Sequence, residues 1–360
     1  MNPMAAQSTG NGWGSGPPPR RTLWSDLPAS PLLAPAFALM DGAFAGLAGR
    51  AGARPLREWS ERVRAFELFQ RAPTLVAGGM TLVRDAAPAV EHAMALDPWE
   101  RLWVLEGLGY AAGRHGGAER LFRTIGRAEL PAAALIPLHT GCGLALAAVA
   151  VEGAESGHGR RAVESFVRRC RGLAEPAAVG ALLEALGLAA RTLLPERLAE
   201  LAAEAAALDA ELGACFWHGV GRALLFVPSQ WLAWTFGGPL AAATREAPAE
   251  EAAANLVAGL AWATTLVGLR SPASLERLLG DADRAPAGAL EDGIAGAVLL
   301  WAHANGVDST LDRFFDHAAR DRDRWRALVV EPCEEALATR LDAVHAGSFG
   351  DLFRVAGSSQ

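Results

Sequence analysis

Apolar and amphipathic stretches alternate along the chain, each about as long as a helix. Residues 99–114, 132–151 and 178–194 are mostly apolar and contain glycine, whereas residues 84–96 and 160–173 place apolar side chains on one face. Apolar residues that recur every three to four positions have the period of an α-helix, and the two-residue alternation of strands is missing. The pattern predicts an all-α protein in which buried helices are shielded by outer ones, as in layered helical hairpins.

The sequence also contains internal similarity. LDPWERLWVLEGLGYAAGR, from Leu96, aligns without a gap to LDAELGACFWHGVGRALLF, from Leu208, at a spacing of 112 residues. Further along, His139 aligns with Asn255 at a spacing of 116, and a weaker third match has a spacing of 113. Matches in the same order at nearly constant spacing predict a tandem duplication.

This duplication sets the expected domain organisation. Residues 1–30, which include GNGWGSGPPP, are expected to be a disordered tail. Residues 31–360 are expected to form a single all-helical repeat domain, with copies at approximately 84–195 and 196–307 and C-terminal helices at 308–360. The expected architecture is a helical-hairpin array of the α-solenoid or α/α-toroid type, with Gly-rich buried inner helices.

Glycine inside a helix needs a physical reason. Each interior Gly costs about 1 kcal/mol relative to Ala. Yet Gly219 and Gly221 stand two residues apart, as do Gly107 and Gly109. Small residues let two helix backbones approach closely, and the resulting packing can offset the cost. We therefore expect these glycines at helix–helix contacts, with access for a ligand as the alternative.

Composition and charge exclude several classes of function. All 33 basic residues are Arg, so a lysine Schiff base and a Walker A phosphate loop are both excluded. The net charge of −7, without a basic run, argues against a nucleic-acid partner, because phosphate binding depends on clustered cations. The chain also lacks a dinucleotide-binding fingerprint, and we expect no cofactor.

Cysteine usage and apolar runs bear on the cellular compartment. The four cysteines form no CxxC pair, which favours free thiols in a reducing cytoplasm. Residues 223–244 and 252–269 carry no charge and are long enough to span a membrane. Pro228 and Pro239 interrupt the first of these, and the second is rich in Ala and Gly. Burial inside a cytoplasmic helical protein is therefore favoured, and membrane association stays open as an alternative.

Several polar residues lie in stretches that the pattern predicts to be buried. Four of them are candidate catalytic residues: Glu106, His139, His218 and Arg222. Buried charge is costly unless it is paired or functional, so we expect these side chains to converge on one cavity. The structural alternative is a buried ion pair between Glu106 and Arg222 that holds the two copies in register.

Five successive segments resemble a bacterial family. RLWVLEGLGYA, LHTGCGLALA, WHGVGRALLFV, NLVAGLAWA and GIAGAVLLWA look, in that order, like the Gly-rich segments of the family labelled domain of unknown function 1702. The similarity spans roughly residues 101–304. In it, Glu106 resembles the family's Glu-Gly glutamate, His139 its His before GxG, and Arg222 its Arg after GxG. The chain departs from the family at LLEALGL, in place of an FHEGY-type segment, and at His218, in place of the more usual Gln.

A zinc site is a further alternative reading of two of these segments. His139 with Cys142, and Cys215 with His218, are i,i+3 pairs on predicted helices and together offer a Cys2His2 set. The corresponding family segments lack both cysteines, so the resemblance implies that no metal is bound.

Members of that family occur beside enediyne polyketide synthases, so the resemblance implies enediyne-type secondary metabolism without naming a reaction. The favoured hypothesis is an accessory protein or enzyme that handles a hydrophobic polyene or polyketide intermediate in a helical cavity. The expected cavity lining is aromatic: Trp103, Trp217, Trp231, Trp234, Trp262 and Trp301. The alternatives are a non-catalytic helical-repeat scaffold for a protein partner and a membrane-associated accessory protein. The sequence leaves open whether the protein is an enzyme.

Overall fold

The structure is a computed structural model that describes residues 61–62, 64–69, 87–114, 117–126, 130–154, 158–174, 176–226 and 238–355. Within these residues every regular element is a helix, so the all-α prediction is confirmed. The predicted disordered tail, residues 1–30, lies outside the described residues.

The α-helices are α1 (Ala87–Met94), α2 (Pro98–Arg114), α3 (Ala118–Gly126), α4 (Ala132–Gly153), α5 (Gly159–Leu173), α6 (Val179–Leu183), α7 (Ala185–Leu193), α8 (Leu198–Leu208), α9 (Ala210–Phe226), α10 (Gly238–Glu246), α11 (Glu250–Gly268), α12 (Ala273–Leu279), α13 (Ala289–Asn305), α14 (Ser309–Phe315), α15 (Arg322–Trp325) and α16 (Glu331–His345). Short 3-10 helices cover Pro176–Ala178, Pro195–Arg197, Ala282–Arg284 and Gly350–Leu352, and a π-helical turn covers Arg326–Val330. Residues 64–69 are also helical.

The apolar helices pack on one another in a continuous series. Helix α2 packs on α4, and the series continues through α7, α9, α11, α13 and α16. Amphipathic helices cover it from outside: α5 packs on α4, α8 on α9, and α12 on α11. The beginning of α2 reaches back to the later helices, because the Trp99 indole donates a 3.0 Å hydrogen bond to the Leu266 carbonyl of α11. Each apolar helix of the series is therefore buried by its neighbours in the series and by the outer helices.

Glycines set the distance between the inner helices. The contacts are reciprocal in three antiparallel helix pairs, α2–α4, α7–α9 and α9–α11. In each pair, a glycine of either helix lies against a backbone carbonyl oxygen of the other helix. That carbonyl belongs to the residue three positions before the glycine of the other helix. These reciprocal contacts join Glu106 and Gly109 with Leu138 and Gly141, Glu184 and Gly187 with Phe216 and Gly219, and His218 and Gly221 with Leu256 and Gly259. A Cβ at any of these glycines would overlap the facing carbonyl oxygen. The close approach favours Cα–H···O contacts and dense packing, which offset the helix cost of glycine.

One helix among the described residues is long and apolar enough to cross a membrane by length and composition. It is Ala133–Gly153, whose most apolar window has a mean hydropathy of 1.8 and is 83% buried inside the protein. Helix α11, which contains most of the candidate span 252–269, does not meet the same measure.

Candidate functional site

Four charged or titratable side chains meet in the interior between α2, α7 and α9. The guanidinium of Arg222 donates to Glu184 Oε2 at 2.6 Å through Nη1 and to Glu106 Oε1 at 3.0 Å through Nη2. The other oxygen of Glu184 lies 2.6 Å from His218 Nδ1. The most exposed of the four residues, Glu106, is only 5% exposed. We call Glu106, Glu184, His218 and Arg222 the charged cluster.

Local structure explains how these side chains reach each other. His218 and Arg222 are four residues apart on α9, so both point from the same face of that helix toward Glu184. Glu184 stands between α6 and α7, and its own carbonyl oxygen faces Gly219 of α9. That glycine brings the α7 backbone close enough for the short carboxylate to reach both partners.

Aromatic rings enclose one side of the cluster. The Arg222 guanidinium lies 4.7 Å from the centroid of the Trp262 ring, a cation–π distance. The His218 ring makes edge contacts with Trp262 at 6.0 Å and with Phe353 at 6.3 Å between centroids. Phe353 is fully buried although it lies close to the C-terminus. The cluster is therefore shielded from water on the α11 side.

Burial and charge act in opposite directions on the two carboxylates. Desolvation raises the pKa of Glu106, and the attraction of Arg222 only partly opposes it. Desolvation would also raise the pKa of Glu184, but Arg222 and the hydrogen bond with His218 outweigh burial and lower it. Desolvation likewise opposes the charge of Arg222, whose pKa the two glutamates nevertheless raise. One guanidinium thus serves two carboxylates, and Glu184 is the better compensated of them.

A pocket of about 70 Å³ adjoins the cluster, and its exposed surface is almost entirely hydrocarbon. Its lining consists of Ala65, Phe66, Phe69, Trp103, Glu106, Tyr110, Leu144, Leu188, Ala189, Thr192, Leu193, Arg222 and Phe226. The Glu106–Arg222 pair therefore lies at the boundary between the charged cluster and an apolar pocket. Such a combination is typical of small-molecule sites.

The structure brings together three of the four predicted site residues. Glu106, His218 and Arg222 share the charged cluster, and the Glu106–Arg222 ion pair of the structural alternative is present. His139 is placed elsewhere: its Nδ1 lies 2.6 Å from the Leu135 carbonyl, and its ring packs on Phe122 with 4.5 Å between centroids. The convergence of all four was therefore wrong for His139, and a catalytic role for any of them stays a prediction.

The tryptophan lining was predicted too broadly. Trp103 lines the pocket, whereas Trp217, Trp262 and Trp301 do not. Trp262 packs on Arg222 instead, and the Trp301 indole donates to Asp308 at 3.1 Å. The remaining two, Trp231 and Trp234, lie outside the described residues.

Glu184 is the cluster residue that the sequence analysis missed, although the sequence carries a signal for it. LEGLGYAA at 105–112 and LEALGLAA at 183–190 share six of eight residues at a spacing of 78. Glu106 and Glu184 occupy the same position in these segments. The weaker third match, at a spacing of 113, instead placed Glu184 opposite Ala297, which hid the match.

The described residues contain no group of three or more His, Cys, Asp or Glu side chains placed to hold a metal ion. The zinc alternative on Cys142 and Cys215 therefore has no geometric support in this part of the chain. All four cysteines are free and buried. No family model matches the chain, and comparisons with curated proteins and with solved structures find no match either.

His139 is expected to make the stability of the protein depend on pH. Desolvation lowers its pKa to about 4, although the hydrogen bond to Leu135 acts in the other direction. The unfolded chain therefore binds a proton below about pH 6.5 that the native protein does not bind until about pH 4. We expect His139 to account for a loss of about 2 kcal/mol in the free energy of unfolding between about pH 7 and pH 5. Urea unfolding at both pH values should show a smaller loss in His139→Gln, and an equal loss in both proteins would contradict this role.

Proposed function

We propose that the protein binds an apolar chain of the polyene or polyketide type in the pocket beside Glu106 and Arg222. In this proposal it acts as an accessory protein or enzyme of enediyne-type secondary metabolism in the cytoplasm. The observation that carries the proposal is the hydrocarbon pocket whose lining includes a buried ion pair. Burial of apolar surface supplies the affinity, and the few polar groups orient the ligand.

The size of the pocket limits what it can hold. Its volume of about 70 Å³ is roughly half that of an engineered cavity of about 150 Å³ that binds benzene. A pocket of this size accepts the end of a narrow chain and not an entire polyene. The proposal is therefore that one end of the ligand enters beside Glu106, while the remainder extends through the mouth.

The binding proposal predicts that an uncharged linear tetraene, the methyl ester of parinaric acid, binds with a rise in its fluorescence. Thr192 lines the pocket and is partly exposed, so Thr192→Phe should fill the pocket and weaken binding at least tenfold. Thr310→Phe is the matched control, because Thr310 is also partly exposed on a helix but does not line the pocket. Equal affinity of the two variants for the ester would place binding elsewhere.

Native mass spectrometry of the protein from its own producer would identify the physiological ligand. A copurified polyene or polyketide that Thr192→Phe fails to retain supports the proposal. Retention of the ligand by both Thr192→Phe and the control Thr310→Phe would contradict it. A scaffold function for a protein partner and membrane association remain alternatives that no described feature specifically favours.

We also infer that the inner helices arose by duplication, with a 78-residue unit as the best-supported repeat. Glu106, Gly109, Leu138 and Gly141 make the same reciprocal contacts as Glu184, Gly187, Phe216 and Gly219, each 78 residues later. The α9–α11 pair makes these contacts too, but its offsets from α2–α4 are 112 for one helix and 118 for the other. The constant spacing favours 78 over the predicted 112. In this arrangement the two glutamates are equivalent and share the single Arg222.

A further inference from the structure

Glu106 differs from the other carboxylate of the charged cluster in how its charge is compensated. Glu184 accepts a 2.6 Å hydrogen bond from Arg222 and is bonded at 2.6 Å to His218 through its other oxygen. Within the described residues, Glu106 has one hydrogen bond, from Arg222 at 3.0 Å. Glu106 also lines the pocket, and Glu184 does not. A ligand in the pocket would therefore contact Glu106 directly and would not contact Glu184.

Among the described residues, the groups around Glu106 do not supply a second cation. Arg222 faces it from α9 and is already shared with Glu184 from the α6–α7 junction. Helix α4 contributes the backbone of Gly141 at this point, while His139 of the same helix packs on Phe122. On α2 itself, Tyr110 lines the same pocket. In the described helical residues 64–69, Arg64 and Glu67 are exposed, and Arg64 pairs with Glu100.

We propose that binding of an apolar ligand in the pocket is coupled to the uptake of one proton by Glu106. This inference rests on the proposed function and specifies how the same site is regulated. An apolar chain displaces water from the pocket and makes the ionised carboxylate more costly. The cost is avoided when Glu106 is neutral, and Arg222 then remains paired with Glu184. Protonation and ligand binding thus favour each other, as thermodynamic linkage requires.

The direction of the pH dependence follows from this coupling. Burial already raises the pKa of Glu106, and ligand binding raises it further. Between the two values the bound state holds one more proton than the free state. Affinity should therefore increase as the pH falls, by at most about tenfold per pH unit. Binding that tightens in this way would release an apolar cargo when the pH rises.

The test uses the full chain and the methyl ester of parinaric acid, which has no titratable group. We expect the wild-type protein to bind the ester more tightly as the pH falls across the range in which it stays folded. Glu106→Gln imitates the protonated carboxyl and should bind with the low-pH affinity throughout. Glu164→Gln, at the exposed Arg160–Glu164 pair, should keep the wild-type pH dependence. A pH-independent affinity of the wild-type protein, or an unchanged dependence in Glu106→Gln, would overturn the proposal.

Calorimetry tests the coupling without a variant and covers the case in which Glu106→Gln does not fold. Titration of the wild-type protein with the ester in two buffers of different ionisation enthalpy should show net uptake of up to one proton per ester bound. Binding without proton uptake would refute the coupling while leaving the proposed function intact. If the ester does not bind at any pH, the proposed function fails first.

Discussion

Arg222→Gln is expected to lower the free energy of unfolding by about 3–5 kcal/mol, the usual cost of removing one partner from a buried ion pair. Arg222 is 2% exposed and is bonded to both Glu106 and Glu184. Without the guanidinium, the two carboxylates lose their shared cation in an environment that cannot solvate them. Glu184 suffers most, because Arg222 is the largest influence that keeps its pKa low against burial.

Chemical unfolding of single and double variants separates a structural role from a functional one. If the cluster is structural, Glu106→Gln also loses on the order of 3 kcal/mol, and the double variant with Arg222→Gln recovers much of the summed loss. If Glu106 serves a working site, Glu106→Gln loses less than about 1 kcal/mol while product formation in a producing strain stops. Arg160→Gln is the control, because its pair with Glu164 is exposed and its loss should leave the free energy of unfolding nearly unchanged. If Arg222→Gln had the same free energy of unfolding as the wild-type protein, the ion pairs would not be important for stability.

Gly221→Leu is expected to lower the free energy of unfolding by about 1–3 kcal/mol or more, because the side chain enters a packed helix contact. Even the Cβ would overlap the carbonyl oxygen of Leu256 on α11. On the same helix, His218 packs its own carbonyl against Gly259, so separating α9 from α11 disturbs both contacts. The displacement would also move His218 and Arg222 relative to Glu184.

Thermal and urea unfolding of Gly221→Ala and Gly172→Ala give a matched comparison. Gly172 lies on α5, is exposed, and has open space where a Cβ would be placed. Gly172→Ala should therefore stabilise the protein by about 0.5–1 kcal/mol through helix propensity. Gly221→Ala should destabilise it, since the same gain is exceeded by the overlap. If both substitutions stabilise the protein, close packing is not the reason for glycine at position 221.

The sequence alone predicted the features that depend on local periodicity. The predicted segments 99–114, 132–151 and 160–173 match α2, α4 and α5 to within two residues at each end. The predicted segment 178–194 was wrong in its continuity, because the structure divides it at Glu184 into α6 and α7. An apolar stripe with a helical period needs no distant partner to be recognised. The glycines at 219 and 221 were likewise predicted at helix contacts, because only close packing or a ligand can offset their cost.

The tertiary structure decided which buried polar residues meet. Glu106, His139 and Glu184 all lie in apolar helical segments, and nothing in the local pattern of each shows which one faces Arg222. The partner depends on the rotation and separation of helices far apart in sequence, and here the glycine contacts fix both. The sequence therefore determined the helices, their burial and the small residues between them. Only the packing of α2, α7 and α9 decided that Glu106 and Glu184 share one guanidinium, while His139 turns to Phe122, because ion pairs are selected by distances of a few ångströms.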